Sequence, residues 1–322
     1  MAKSTKKAKT PTKKKVQLLK ASDVKVPLDV PPKSKKAYID NFLAITKKTG
    51  KLMLFAGDQR VEHLNKDFFG ANIASDDAHP EHLFRIASKA RIGAFAAQLG
   101  LIAKFAGDYK KVDYIIKINS KTNLTKASFM DPYSQSWYDV EQLVAFARMS
   151  KIKLRGVGYT VYLGSEHEHK MLREAAQMVL KAHEYGLIAV LWMYPRGKSV
   201  TNEKDPQLIA GAADVGTCLG ADFVKVNYPQ SLSLKTADVF KETILAAGRT
   251  GIVCAGGSSK DAASFLETLH EQIHLAGTRG SATGRNVHQK PLKEAVAFCN
   301  AISAIVFDKA SVPDALKIYK KF

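Results

Sequence analysis

Phe223-Val224-Lys225-Val226-Asn227-Tyr228-Pro229 is a β-branched and aromatic run ended by a proline, the pattern of a short buried strand, and it holds a lysine near its centre. Lysine is rarely buried in full. Such a lysine is either a strand-end residue whose stem packs while its ammonium reaches water, or a desolvated amine whose lowered pKa lets it attack a carbonyl and form a Schiff base. Similar runs recur at residues 52–56, 93–99, 114–118, 156–163, 188–193 and 252–255, with a weaker one near 274–277. Between most of them apolar residues return at helical spacing: Val140, Leu143, Val144 and Ala147; Met171, Ala175, Met178, Val179 and Ala182; Phe265, Leu266, Leu269 and Ile273. Eight near-continuously apolar strands separated by helices predict an α/β fold, a (β/α)8 barrel of the TIM type with its strands buried on both faces. A doubly wound open sheet competes, and the count of eight favours the barrel.

The N-terminal stretch differs from this body. Residues 1–36 hold twelve lysines against Asp23 and Asp29, contributing 12 − 2 = +10 of the formal net charge of +19. With four prolines and few large apolar groups, residues 1–36 are expected to form a disordered basic tail, leaving 37–322 as one barrel. Such a tail is either a solubilising extension or a loose electrostatic tether to nucleic acid, ribosomes or anionic membrane, the first being the simpler. No apolar segment follows its charges as in a secretory signal, and it lacks the arginines of a transit peptide. No run of 18 apolar residues marks a membrane span, so a cytoplasmic protein is expected. Cys218, Cys254 and Cys299 stand apart without paired spacing, which suits reduced thiols packed in a core.

Active sites of such barrels gather at the C-terminal ends of the strands and in the loops that follow. Here those ends read Gly57-Asp58-Gln59-Arg60, Asn119-Ser120-Lys121, Gly164-Ser165-Glu166, Trp192-Met193-Tyr194-Pro195-Arg196-Gly197, Lys225-Val226-Asn227-Tyr228, Gly256-Gly257-Ser258-Ser259 and Gly284-Arg285-Asn286, a polar and glycine-rich set. On consecutive loops, Gly256, Gly257 and Ser258 and then Gly284 and Arg285 suit a phosphate: glycines admit close approach to backbone N–H groups and arginine offers a planar fork. Two ordinary strand-to-helix turns would read alike. Trp192 and Tyr194 alternate with Leu191 and Met193 and so share one face of their strand. The Tyr194 hydroxyl needs a partner, which suits proton transfer or hydrogen bonding at a reacting carbon. Asp58 either serves the mouth of the barrel or merely pairs with Arg60. Glu166-His167-Glu168-His169 suggests a metal site, but two histidines two residues apart do not share a helix face. Ser165 and Glu168 have capping-box spacing, so a helix start is the simpler account.

Taken together, residues 223–228, 192–197, 255–257 and 284–289, with Gly158-Tyr159-Thr160-Val161-Tyr162 and Gly164-Ser165, resemble the archaeal-type class I fructose-1,6-bisphosphate aldolases, in order and spacing over roughly residues 50–307. The resemblance implies a TIM barrel with a Schiff-base lysine at Lys225, a proton-transferring tyrosine at Tyr194 and a strand-one aspartate at Asp58. Trp192 would line the same pocket, and Gly256, Gly257, Gly284 and Arg285 would hold phosphate, with Ser258 and Arg196 beside them. It also implies a reaction without metal or other cofactor, and assembly into homo-oligomers. Two departures stand out. The family's Asp-His-Gly after strand one is Asp58-Gln59-Arg60 here, which brings a cation, Arg60, toward the mouth as a possible contact for a second phosphate. Its Gly-Gly-Pro-Lys is Gly256-Gly257-Ser258-Ser259-Lys260.

The expected activity is therefore that of a cytoplasmic class I aldolase of glycolysis or gluconeogenesis, with a phosphorylated sugar as substrate and fructose 1,6-bisphosphate foremost. Lys225 would form an iminium that acts as an electron sink for breaking the C3–C4 bond. Its valine neighbours would supply the desolvation. The alternatives are a sibling of the family that works through the same lysine on another phosphorylated ketone, of the amino-sugar synthase or dione thiolase type, and a non-catalytic barrel that binds nucleic acid through its tail.

Overall fold

Strands that are apolar on both faces need cover on both, and a closed barrel ringed by helices supplies it. The computed structural model describes residues 16–125, 129–230, 235–257 and 261–322. Eight parallel strands pair in chain order: β1 (Leu52–Ala56), β2 (Ala94–Gln98), β3 (Asp113–Lys117), β4 (Lys153–Leu163), β5 (Ile188–Pro195), β6 (Phe223–Val226), β7 (Gly251–Ala255) and β8 (Gly280–Thr283). Closure comes from β1 on β8, with Leu52 opposite Gly280 and Phe55 opposite Thr283. Around them run α1 (Lys35–Ile45), α2 (Gln59–His63), α3 (Glu81–Lys89), α4 (Leu99–Phe105), α5 (Val140–Ser150), α6 (Glu168–Glu184), α7 (Pro206–Cys218), α8 (Thr236–Ala247), α9 (Ala262–His274), α10 (Arg285–His288), α11 (Leu292–Asp308) and α12 (Val312–Tyr319). Among the described residues no helix is long and apolar enough to cross a membrane.

Strand parity sorts the core into two. Met53, Phe55, Phe95, Tyr114, Leu191 and Val224 pack outward against the helices. Leu54, Ala96, Ile115, Val190, Phe223 and Val253 fill the barrel interior. Two residues farther along the inward rows come Lys117 after Ile115, Trp192 after Val190, and Lys225 after Phe223. Side-chain alternation thus carries an aliphatic floor into a polar upper layer without any change in the backbone. Outside β1–β3, Phe84 of α3 fits among Phe95, Phe105, Tyr109 and Tyr114, with ring centroids 5.1–6.4 Å apart. Truncating such a buried ring costs about 3–5 kcal/mol.

Four expectations need correction. The lysine-rich segment is packed from well before residue 37: Val24 and Val30 are buried in the interior cluster at the foot of the barrel, and Asp29 lies 2.8 Å from the buried His183. Its apolar residues are few but spaced to plug the barrel floor, which average composition hides. The eighth strand is residues 280–283, not 274–277; His274 ends α9. Ser165 and Glu168 do not form the expected box. Glu168 accepts from the Gly164 N–H at 2.5 Å, while the Ser165 hydroxyl donates to the Pro132 carbonyl at 2.7 Å. Cys254 and Cys299 are core residues, but Cys218 is exposed at the end of α7.

Candidate active site

Asp58, Trp192, Tyr194, Lys225, Gly256 and Arg285 line one cavity of about 120 Å³ at the C-terminal mouth of the barrel, together with Arg196, Gly257 and Gly284. The chain therefore brings together nearly all the residues singled out from sequence, from β1, β5, β6 and the loops after β7 and β8. A larger cavity of about 700 Å³ lies on the flank between α5 and α6, away from this set. Ser258 lies outside the described residues.

Lys225 is 5 % exposed at the end of β6. Val224 and Val226 face outward, so its dryness comes from the barrel interior rather than from its chain neighbours. Its ammonium sits 5.5 Å from the Trp192 ring centroid. Burial pulls the Lys225 pKa below the ordinary lysine value, Asp58 and Glu62 oppose that, and Arg285 adds to it. A second lysine, Lys117, is 2 % exposed at the end of β3, 5.1 Å from the same ring, with its ammonium 2.8 Å from Asp58 Oδ2. Burial alone would raise the Asp58 carboxyl, but Lys117 and Lys225 hold it below the usual carboxylate range. The Gln98 amide donates to the Asp58 backbone carbonyl at 2.7 Å and anchors the turn. Asp58 Oδ1 and Trp192 Nε1 are buried without a partner among the described residues. One is an acceptor and the other a donor, both suited to substrate hydroxyls or carbonyls.

Tyr194 lies one pleat above Trp192 on β5. Burial pushes its phenol well above the ordinary value; Lys117 draws it down while Asp58 and Glu62 push it up. It rests protonated and is a proton donor at neutral pH. Beyond it Arg196 is held by both Glu203 oxygens, at 2.7 and 2.8 Å, and lies 3.2 Å from Glu62 Oε1. Glu62 also accepts from the Tyr162 hydroxyl at 2.8 Å. On the opposite side the Arg285 Nη2 donates to the Gly257 carbonyl at 3.1 Å, and the Gly284 backbone abuts Gln59: a Cβ there would stand 2.1 Å from the Gln59 amide nitrogen. A side chain at 284 would require Gln59 to swing aside.

Arg60 is the residue the structure removes from the site. It is the second residue of α2, and the helix turns it away from the cavity. Its guanidinium stacks on Phe68, 4.1 Å from the ring centroid, and donates to the backbone carbonyls of Asp77 and Ala78. Asp58 pairs with Lys117 rather than with Arg60. Sequence reasoning did not assign Lys117 or Glu62, although signals for both existed. Lys117 repeats the Lys225 pattern, a lysine inside an apolar strand run. Glu62 follows Asp58 by four residues, which on a helix is one face.

Comparison with known proteins gives the family. The family model described as DeoC/LacD family aldolase matches residues 52–290. The chain is 58 % identical over 304 residues to the fructose-bisphosphate aldolase/6-deoxy-5-ketofructose 1-phosphate synthase of Methanocaldococcus jannaschii, a match covering 94 % of this chain and 97 % of that protein. Among solved structures it is similar to a fructose-bisphosphate aldolase from Slackia heliotrinireducens, with TM-score 0.92 and 51 % identity, covering 94 % of this chain and 96 % of that one. It is also similar to an archaeal fructose-1,6-bisphosphate aldolase whose catalytic lysine is covalently bound to a carbinolamine intermediate, with TM-score 0.72 and 31 % identity, covering 83 % and 98 % of the two chains. A family match over residues 52–290, with a relative 58 % identical along 94 % of the chain, places the chain in the DeoC/LacD aldolase family, with the archaeal-type class I fructose-bisphosphate aldolases.

Proposed function

We propose that the protein cleaves fructose 1,6-bisphosphate reversibly to dihydroxyacetone phosphate and glyceraldehyde 3-phosphate through a Schiff base on Lys225. The buried Lys225 amine with its lowered pKa, facing a phenol and a carboxylate across one cavity, is the observation that carries this reading. The neutral amine adds to the C2 carbonyl, and the carbinolamine loses water to an iminium. Tyr194, resting protonated, donates as the hydroxyl departs. Asp58, held ionised, takes the C4 hydroxyl proton through its free Oδ1. The C3–C4 pair of electrons then flows to the iminium nitrogen, releasing the aldehyde and leaving an enamine. The proton then passes from Asp58 to the Tyr194 phenolate and resets both groups, Tyr194 protonates the enamine carbon, and the phenolate so formed takes a proton from the water that hydrolyses the iminium and frees dihydroxyacetone phosphate. The protonated imine supplies the electron sink, so the cycle needs no metal or organic cofactor.

A second reaction is favoured by the charge of the acceptor half. Arg60 points away, Arg196 is met by Glu203 and Glu62, and Lys121 is spent on the Thr122 carbonyl and Asn123 side chain. Among the described residues this rim has no cation in surplus, which suits an aldehyde without a phosphate. The M. jannaschii relative is also named a 6-deoxy-5-ketofructose 1-phosphate synthase. Cutting that product between C3 and C4 leaves a dihydroxyacetone phosphate donor and a three-carbon 2-oxoaldehyde.

Borohydride reduction in the presence of dihydroxyacetone phosphate, followed by peptide mass spectrometry, tests the chemistry. The expected adduct is on Lys225; an adduct on Lys117 instead would reassign the nucleophile, and none at all would end the Schiff-base proposal. Comparing fructose 1,6-bisphosphate with fructose 1-phosphate then tests the acceptor half. Values of kcat/KM within about tenfold of each other mean that the second phosphate is worth less than about 1.4 kcal/mol in the transition state.

A further inference from the structure

Beside the cavity, and not itself lining it, Asp67 touches two residues that do. Its Oδ2 accepts a hydrogen bond from His63 Nδ1 and lies 3.5 Å from Arg285 Nε. His63 and Arg285 reach the site from different loops, one from the end of α2 and the other from the start of α10, and both line the cavity. The main chain that carries it is held from behind, since the Gln289 amide donates to the Asp67 backbone carbonyl at 2.9 Å. Burial alone would raise the Asp67 carboxyl, but the His63 hydrogen bond and the charges of His63, Arg285 and His288 hold it below the usual range.

The donor left over is what matters. Arg285 spends Nε on Asp67 and Nη2 on the Gly257 carbonyl, which leaves Nη1 without a partner among the described residues. His63 donates its Nδ1–H to Asp67, and in the imidazole tautomer that this contact selects Nε2 is an acceptor, so His63 braces the carboxylate from the other side. A carboxylate that binds the inner edge of an arginine and is braced by a histidine orients the arginine toward whatever lies in front of it. In front of it is the Gly256–Gly257 loop side of the cavity.

We propose that Asp67 is a positioning residue of a phosphate subsite, and that, braced by the His63 Nδ1–H, it holds Arg285 so that Nη1 donates to the phosphate ester of the donor ketone. This deepens the aldolase reading and rests on it for the identity of the ester, though not for the subsite. Arg285 supplies the charge and part of the fork geometry, His63 braces Asp67 through its one N–H, and Asp67 supplies the rigidity that keeps rotamer entropy from being lost on binding. Asp67 touches no reacting atom, so its removal weakens phosphate capture more than it slows bond making.

The test uses Asp67→Asn, with Asp67→Glu as the conservative restoration and thermal unfolding as a check that each variant is folded. For Asp67→Asn the expected result is a KM for dihydroxyacetone phosphate raised about tenfold with kcat within about twofold, and no change with unphosphorylated dihydroxyacetone. Asp67→Glu should recover part of the loss. Inorganic phosphate, titrated calorimetrically into the full-length protein, should bind the Asn variant more weakly by a similar factor. Equal losses with both ketones, a loss confined to kcat, or unchanged phosphate binding would overturn the proposal. Should the wild-type protein form no borohydride adduct yet lose phosphate affinity in Asp67→Asn, the subsite stands and the aldolase chemistry falls.

Discussion

Lys225 is an amine that the fold keeps dry, and that dryness has a thermodynamic cost with a definite sign. A lysine whose pKa is lower folded than unfolded releases its proton on folding. Its burial therefore opposes stability below the folded pKa, and the opposition fades as pH climbs toward the free-lysine value of about 10.4. Lys225→Met should abolish the adduct and also be more stable than wild type near neutral pH, by about 1–3 kcal/mol. Urea unfolding of both proteins across pH reads the difference, which should shrink toward pH 10; a gap that stays constant with pH would show that the lysine is not desolvated as described. Lys117 differs in kind. Its charge is matched by Asp58 at 2.8 Å, so under the proposed mechanism the two lysines of one cavity have separate tasks: one acts as the nucleophile, while the other keeps a carboxylate ionised.

At the scale of elements, the N-terminal segment is bound to the barrel through a buried histidine. His183, on α6, lies 2.8 Å from Asp29 and 3.2 Å from Asp222, and the Tyr38 hydroxyl also donates to Asp222. Burial alone would lower the His183 imidazole, yet hydrogen bonds and charge from Asp222 and Asp29 raise it from 6.5 to about 9. A folded pKa above the unfolded one stabilises the fold fully below about pH 6.5, and the contribution is lost as pH rises through about 9. The difference is worth at most on the order of 3 kcal/mol. Chemical unfolding should show wild-type stability declining from pH 6.5 to 9 relative to His183→Gln. Parallel profiles would mean that the imidazole is already neutral in the fold. Composition alone made residues 1–36 look like a tail because lysine dominates it; Val24 and Val30 have significance only against a barrel floor that no local window contains.

For the whole molecule the decisive contact is the β1–β8 seam. Gly280 has φ +139°, and a Cβ there would stand 1.8 Å from the Leu52 carbonyl oxygen. Backbone, unlike a flexible side chain, cannot move aside cheaply. Gly280→Ala should therefore cost at least about 2 kcal/mol, more than an exposed glycine substitution would, and should lower Tm and cooperativity together. Gly248→Ala is a useful control, since its φ of +54° is also positive but nothing lies within 4 Å of the added methyl; similar losses in both would assign the effect to φ rather than to barrel closure. The seam also explains why β8 was invisible in the sequence. Gly280-Ser281-Ala282-Thr283 is a strand because its neighbours need one there, and its first residue is chosen for closeness rather than β propensity.

Seven strands, the shared face of Trp192 and Tyr194, and the candidate residues Lys225, Tyr194, Asp58, Trp192, Gly284 and Arg285 were legible in the sequence because each depends on local pattern: a short apolar run, or a polar residue where such a run ends. What the sequence could not determine were pairings between residues distant in the chain. That Asp58 would meet Lys117, that Arg60 would stack on Phe68, that Asp67 would bridge His63 and Arg285, and that Gly280 would press on Leu52 are consequences of closing the barrel. Closure sets the distances across the mouth, and electrostatic coupling and steric contact depend on distance alone, not on order along the chain.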